Sequence, residues 1–227
     1  MNDLSEKETI DELRRWWEEN QWFVIGGLVL GVAMLVGWNA WKAQRAESAT
    51  AASAQYEKLV EQVADGNLDP AASLSAELFD EYGSTPYAAQ GRLAMARLYM
   101  DRGRDQDAAD VLRPLAKASG NEALQQIARL RLASILLYQD QPAEALELLG
   151  TPGESAFAAR FNDAIGDAHF ALGNFADAAA AWSRVLADEN AQQTVNSRYV
   201  RMKLDDLPDD AALSSAAAEL QQDGAGE

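Results

Sequence analysis

One histidine, no cysteine and no glycine-rich phosphate loop leave this chain little with which to do covalent or metal chemistry. Without cysteine there is no thiolate nucleophile, no thiolate zinc site and no disulfide. His169 has no second histidine to share a metal with, and no nucleophile is spaced to use it as a base. The adjacent carboxylates Asp205 and Asp206 sit beside Lys203 near a predicted helix end, where solvation explains them. No catalytic residue, cofactor or metal is therefore expected. What remains is non-covalent chemistry between a polypeptide surface and its partners.

The element that must position such a surface is the uncharged run from Asn20 to Trp41, with no ionisable side chain between Glu19 and Lys42. A helix rising about 1.5 Å per residue needs roughly 20 apolar residues to cross a hydrocarbon core. Five of the six tryptophans (Trp16, Trp17, Trp22, Trp38 and Trp41) cluster at the two ends of the run, as in an aromatic belt. Lys42 and Arg45 can snorkel from the far end. A cleaved signal peptide would have a basic start, a shorter apolar stretch and a small-residue cleavage site; here the start is acidic and the run ends Trp-Asn-Ala-Trp-Lys. Gly27 and Gly31, like Ala33 and Gly37, have the small-xxx-small spacing that permits close helix–helix contact in a membrane. Three basic residues precede the span (Lys7, Arg14, Arg15) and three follow within twenty residues (Lys42, Arg45, Lys58), so the positive-inside rule leaves orientation open.

From Lys42 onward the chain has 16 basic and 29 acidic residues. That surface repels nucleic acid and anionic headgroups, so neither is an expected ligand. It suits a basic protein partner, and it equally serves solubility. Residues 1–21 read as a short helix that either lies on the membrane or continues into the span, with capping-box spacing at Ser5/Glu8 and Thr9/Glu12. An alanine-rich stretch without Gly or Pro then predicts a helix leaving the membrane and ending at Gly66-Asn67. A second helix follows over about 70–82, and Thr85-Pro86 marks another start, a capping hydroxyl before a proline.

Beyond that point the sequence repeats. Three small residues, Ala96, Ala133 and Gly166, are each followed twelve positions later by an alanine (Ala108, Ala145, Ala178) and four beyond that by a large apolar residue (Leu112, Leu149, Trp182). Breakers fall between: Arg102-Gly103, Gln141-Pro142 and Gly173-Asn174. Small residues let two antiparallel helices approach, and large ones plug the groove; a single pair cannot bury its own apolar face, but a stack can. The fold class is all-α: one N-terminal transmembrane helix, then an α-solenoid of antiparallel hairpins, three clear and one degenerate over about 46–83. Expected segments are a tail 1–21, a span 22–41, a juxtamembrane helix 42–67, a repeat domain 68–207 and a polar, disordered extension 208–227.

The repeat resembles the tetratricopeptide repeat, best in residues 165–190, where Gly166, His169, Gly173, Phe175, Ala178 and Trp182 match its signature positions. In that motif a ring at the His169 position packs between helices. The order of parts (acidic tail with Trp16-Trp17, glycine-rich span ending Gly37-Trp38 and Trp41, alanine-rich helix, repeats, and a closing Met202-Lys203-Leu204-Asp205-Asp206-Leu207) resembles the YfgM family over about residues 5–207. The resemblance implies an inner-membrane, single-pass ancillary subunit of the SecYEG translocon, N-terminus cytoplasmic and repeats periplasmic, associated with a PpiD-like chaperone. It implies a scaffold assisting handover of unfolded or nascent polypeptide, and transfers no catalytic residues. An adaptor for another envelope-assembly process, or an inverted, cytoplasmic-facing regulator, stays open beside it.

In stacked hairpins the first helix of each pair lines the concave face. The register places Leu93, Arg97 and Met100 there, then Leu130, Ser134 and Leu137, then Asp163, Asp167 and Phe170. This peptide groove reads as an apolar band with one cationic and two anionic positions, without the basic and amide cluster that would grip a terminal carboxylate. The competing expectation is that the chain's own terminal helices cover its apolar members.

Overall fold

The computed structural model describes residues 3–118, 121–153, 155–189 and 191–208. Among them the secondary structure is helical throughout. The chain forms two compact units, Met1–Ser53 and Ala54–Glu227. Helix α1 runs Asp3–Ala64, so the N-terminal helix continues into the span without a break, and the lack of Gly or Pro between Trp41 and Asp65 lets it run on beyond the span. The side chains of the two expected capping boxes, at Ser5/Glu8 and Thr9/Glu12, lie outside the described residues, as does the extension from residue 209 onward.

The first unit is helical and apolar all round across the span, whose side chains are exposed among the described residues: Leu28 and Leu35 are 69% and 70% exposed. A helix with no polar face and no protein cover is unstable in water and matched to lipid. A Cβ placed on Gly27, Gly31 or Gly37 would meet nothing. The small-residue face is open.

The second unit is the stack of hairpins. Helix α2 (Leu68–Tyr82) follows the end of α1, where Gly66 takes a left-handed φ of 74° that a glycine adopts without strain. The hairpins are α3 (Pro86–Asp101) with α4 (Asp105–Lys117), α5 (Glu122–Tyr138) with α6 (Pro142–Leu149), and α7 (Ala158–Ala171) with α8 (Phe175–Ala187). Helix α9 (Ser197–Asp205) closes the stack against α8. The α3 start is capped as its sequence predicts: the Thr85 hydroxyl accepts from the Ala88 N–H at 3.3 Å, with Pro86 in the first turn.

Every small and large residue of the repeat is buried. Ala96, Ala133 and Gly166 face their partner helices, Ala108, Ala145 and Ala178 are closed off from solvent, and Leu112, Leu149 and Trp182 fill the space between. The approach is close in the last hairpin, where a Cβ on Gly166 would lie 2.5 Å from the Trp182 Cδ1. Trp182 seals its own hairpin, donating its indole N–H to the Asp163 carbonyl at 3.3 Å, and joins Val200 of α9 in one cluster.

A second repeated device uses backbone acceptors. Arg92 on α3 donates to the Val111 carbonyl of α4 at 3.4 Å, and Arg129, 37 residues on, donates to the Leu148 carbonyl of α6, 37 residues beyond Val111. Arg129 also reaches the Leu149 carbonyl at 2.7 Å, so it satisfies orphan acceptors at the C-terminus of the one helix that Gly150-Thr151-Pro152-Gly153 cuts short. In the third hairpin Asn162 stands at this place and accepts from Arg184 at 3.0 Å.

Candidate functional site: two clefts on the first helices of the hairpins

Two open clefts lie along α3, α5 and α7. One, about 350 Å³, is lined by Ala96, Arg97, Met100, Leu112, Arg131, Ser134 and Ile135 and is largely apolar. The other, about 440 Å³, lies between α5, α7 and the segment before α9; Leu130, Arg131, Ser134, Phe157, Arg160, Asp163, Asp167 and Asn196 are among its walls. Ser134 and Arg131 belong to both, so the clefts adjoin on α5.

Of the nine groove residues read from the sequence, Arg97, Met100, Leu130, Ser134, Asp163 and Asp167 line these clefts. Leu93, Leu137 and Phe170 do not line either. Leu93 and Leu137 are half-buried against the main core, and the Phe170 ring packs on Phe175 and Trp182 with centroids 5.6 and 5.9 Å apart. The apolar band is thus narrower than its spacing suggests, because these three side chains pack against the core or the partner helix.

Among the lining residues outside that register are two cations. Arg131 and Arg160 each stand three positions before an expected groove residue, Ser134 and Asp163, and so share their helix face. The lining carries more positive charge than the three stripes suggested. Arg131 donates to the Leu93 carbonyl at 3.2 Å, tying α5 to α3.

Asp163 and Asp167 are not free. The Lys203 ammonium of α9 donates to Asp163 Oδ1 at 2.8 Å and to Asp167 Oδ1 at 2.5 Å. The competing expectation named the apolar groove residues as those a terminal helix covers; what Lys203 of α9 reaches is the acidic pair. The start of α9 is fixed by Asn196, whose side chain accepts from the Arg198 and Tyr199 N–H groups. Burial raises the Asp167 pKa above the usual carboxylate value; the hydrogen bond and charge of Lys203 only partly offset this, and the Asp163 charge adds to it. Burial also works against the Lys203 charge, but hydrogen bonds from Lys203 to Asp163 and Asp167, and their charges, outweigh it and raise its pKa.

The clefts offer adaptable apolar surface, guanidinium donors and two carboxylates that share one ammonium. The Ser134 hydroxyl is committed to the Leu130 carbonyl at 3.0 Å, and no group of acidic and histidine side chains among the described residues could hold a metal ion. His169 is half-buried on α7, with its Nδ1 buried and unpartnered.

A stack of small-residue hairpins with such concave clefts defines a helical-repeat interaction protein, and residues 14–209 match the family of tetratricopeptide repeat-like domains, to which the chain belongs. Along nearly its whole length it is similar to proteins described as the ancillary SecYEG translocon subunit. That of Escherichia coli (strain K12) is 28% identical over 203 residues, covering 89% of this chain and 97% of the relative. That of Haemophilus influenzae is 30% identical over 206 residues, covering 90% and 98%. The likeness to the YfgM family holds across both units. A solved structure of a putative kinesin light chain from Podosopora anserina with TPR-like repeats is 20% identical, covers 75% of this chain and 88% of that chain, and has a TM-score of 0.48.

Proposed function

We propose that the chain is a membrane-tethered scaffold working beside a SecYEG-type translocon, where it holds partner or client polypeptide on the concave face of its repeats. One observation carries this reading: relatives described as ancillary SecYEG translocon subunits match the apolar span and the repeat domain together, over 97–98% of their own length. A shared repeat alone would speak only for an interaction fold; the shared pairing of anchor and repeat speaks for the same kind of post.

The span supports placement in a bacterial inner membrane; the cytoplasmic N-terminus and periplasmic repeats are what the resemblance to the YfgM family implies. The clefts support polypeptide as ligand: Met100 supplies a flexible apolar contact, and open walls of mixed chemistry favour weak, sequence-tolerant binding. A PpiD-like periplasmic chaperone is the partner to which such a scaffold would pass its client. Gly27 and Gly31 form the face on which another transmembrane helix could pack.

Orientation is the test that this reading must pass first. A reporter active only in the periplasm, fused after Leu207, is expected to work, and detergent extracts are expected to co-purify translocon subunits with the full chain. Activity of a cytoplasmic reporter alone at that position would place the clefts on the wrong side of the membrane and end the proposal.

A further inference from the structure

The clefts are locally cationic on a strongly acidic chain. Arg131 and Arg160 line the larger one, where with Lys203 they set three cations against the two carboxylates Asp163 and Asp167; Arg97 of the smaller one is paired with Asp101 at 3.7 Å. The chain as a whole carries a formal charge of −17. Arg160 has no hydrogen bond or ion pair among the described residues, and Arg131 has given only one N–H, to Leu93. Guanidiniums left with donors to spare on an acidic protein call for an anionic occupant.

Such an occupant lies in the chain itself. From residue 209, where the family match ends, nineteen residues follow, DDAALSSAAAELQQDGAGE. They hold five carboxylates, Asp209, Asp210, Glu219, Asp223 and Glu227, and no Lys or Arg. Leu213, Ala216, Ala217 and Leu220 recur at i, i+3, i+4 and i+7, the spacing of one apolar helix face. Reach is ample. Asn196 lines the larger cleft, Lys203 touches two of its walls, and the segment begins six residues further on. Nineteen residues extend to about 60 Å, and even as flexible coil span roughly 25 Å.

We propose that residues 209–227 are an intramolecular occupant of the cleft between α5 and α7, with the leucine face on Leu130, Phe157 and Ala164 and the carboxylates on Arg131 and Arg160. The occupant holds the cleft when no client does, and a client must displace it. A free acidic peptide or a second copy would have to approach against the net negative field, whereas a tethered segment acts at an effective concentration on the order of millimolar and escapes that penalty. The inference rests on the cleft as the docking surface of the scaffold but not on any particular client.

The test uses the full chain in nanodiscs, with the photocrosslinker benzoylphenylalanine in place of Leu220. Adducts are expected within one chain, mapping by mass spectrometry to peptides containing residues 127–134 or 157–167. Their yield is expected to fall about tenfold in the double variant Arg131→Glu, Arg160→Glu, and to recover when Glu219→Arg and Asp223→Arg are added. Circular dichroism reports whether the charge reversal stays folded. Should it unfold, a salt series on the crosslinker-bearing chain without the charge reversals decides: yield must drop as the screening length shrinks from about 10 Å at 0.1 M to about 3 Å at 1 M. Adducts between two copies, adducts elsewhere on the domain, or yields indifferent to charge reversal or salt would overturn the proposal. No client is present in this experiment, so its failure leaves the scaffold reading standing, and failure of client capture leaves this inference standing.

Discussion

The contact between Gly166 and Trp182 makes a prediction whose sign depends on the partner. A methyl group added at Gly166 would sit 2.5 Å from the Trp182 Cδ1 and 2.8 Å from Cε2, where ordinary contacts begin at about 3.4 Å. The indole must retreat by nearly an ångström. It is 2% exposed and hemmed in by Phe170, Val185 and Val200, and moving it also strains the hydrogen bond to the Asp163 carbonyl. Overpacking of this kind costs about 1–3 kcal/mol, and a strained hydrogen bond up to about 1 kcal/mol more. Against that, alanine gains up to about 1 kcal/mol over glycine in helix propensity. Gly166→Ala alone should therefore destabilise the domain by about 1–3 kcal/mol. Trp182→Ala should cost about 3–5 kcal/mol as a large-to-small core change. In the Trp182→Ala background the obstruction is gone, and the same Gly166→Ala change should stabilise by up to about 1 kcal/mol. The coupling between the two sites is then about 2–4 kcal/mol with a change of sign. Urea unfolding of the full chain in a mild detergent, followed by far-ultraviolet circular dichroism, measures all four corners of the cycle. If Gly166→Ala has the same sign and size with and without the indole, the small–large rule used to read the repeat is wrong.

Two further outcomes follow from named contacts. Lys203→Met should cost about 1–3 kcal/mol by leaving Asp163 and Asp167 without their donor, and it should raise the Asp167 pKa further. Because that pKa already stands above its unfolded value, stability is lost as pH rises through it; in the variant the loss should be larger and reach to higher pH, as unfolding across a pH series would record. The raised Lys203 pKa means that its own contribution is full below the unfolded lysine value and is lost only as pH rises beyond it, so the wild-type chain should keep α9 docked until strongly alkaline pH, with near-ultraviolet circular dichroism reporting the release of Trp182. Arg129→Met should cost about 2–3 kcal/mol by orphaning the Leu148 and Leu149 carbonyls, and hydrogen exchange should rise first in α6.

What could be read from the sequence was what leaves side-chain periodicity behind. The small and large positions of each hairpin and the Thr85 cap follow from residue types at fixed spacing, because backbone approach and capping demand them. The span was legible for the same reason, as a run of one solvent preference. Three things were not. Arg92 and Arg129 bond to backbone carbonyls, and an acceptor present at every position leaves no mark on the sequence. Lys203 meets its carboxylates across 36 and 40 residues, a pairing only the stack can bring about. Arg131 and Arg160 are not marked by the three positions per helix that the register supplies, because the cleft walls extend one turn further toward the N-terminal end, to the residues three before Ser134 and Asp163. Leu137 and Phe170 failed in the opposite direction: they have the spacing of the groove but lie beyond the clefts.

The central claim, a tethered scaffold handling polypeptide beside a translocon, is tested most directly by photocrosslinking in intact cells from Leu28 in the span and, separately, from Ser134, the residue common to both clefts. Leu28 should capture translocon subunits, and Ser134 should capture a membrane-anchored chaperone or newly exported chains, in amounts that fall when export is blocked. Capture of cytosolic proteins alone from Ser134, with no translocon subunit from Leu28, would contradict it.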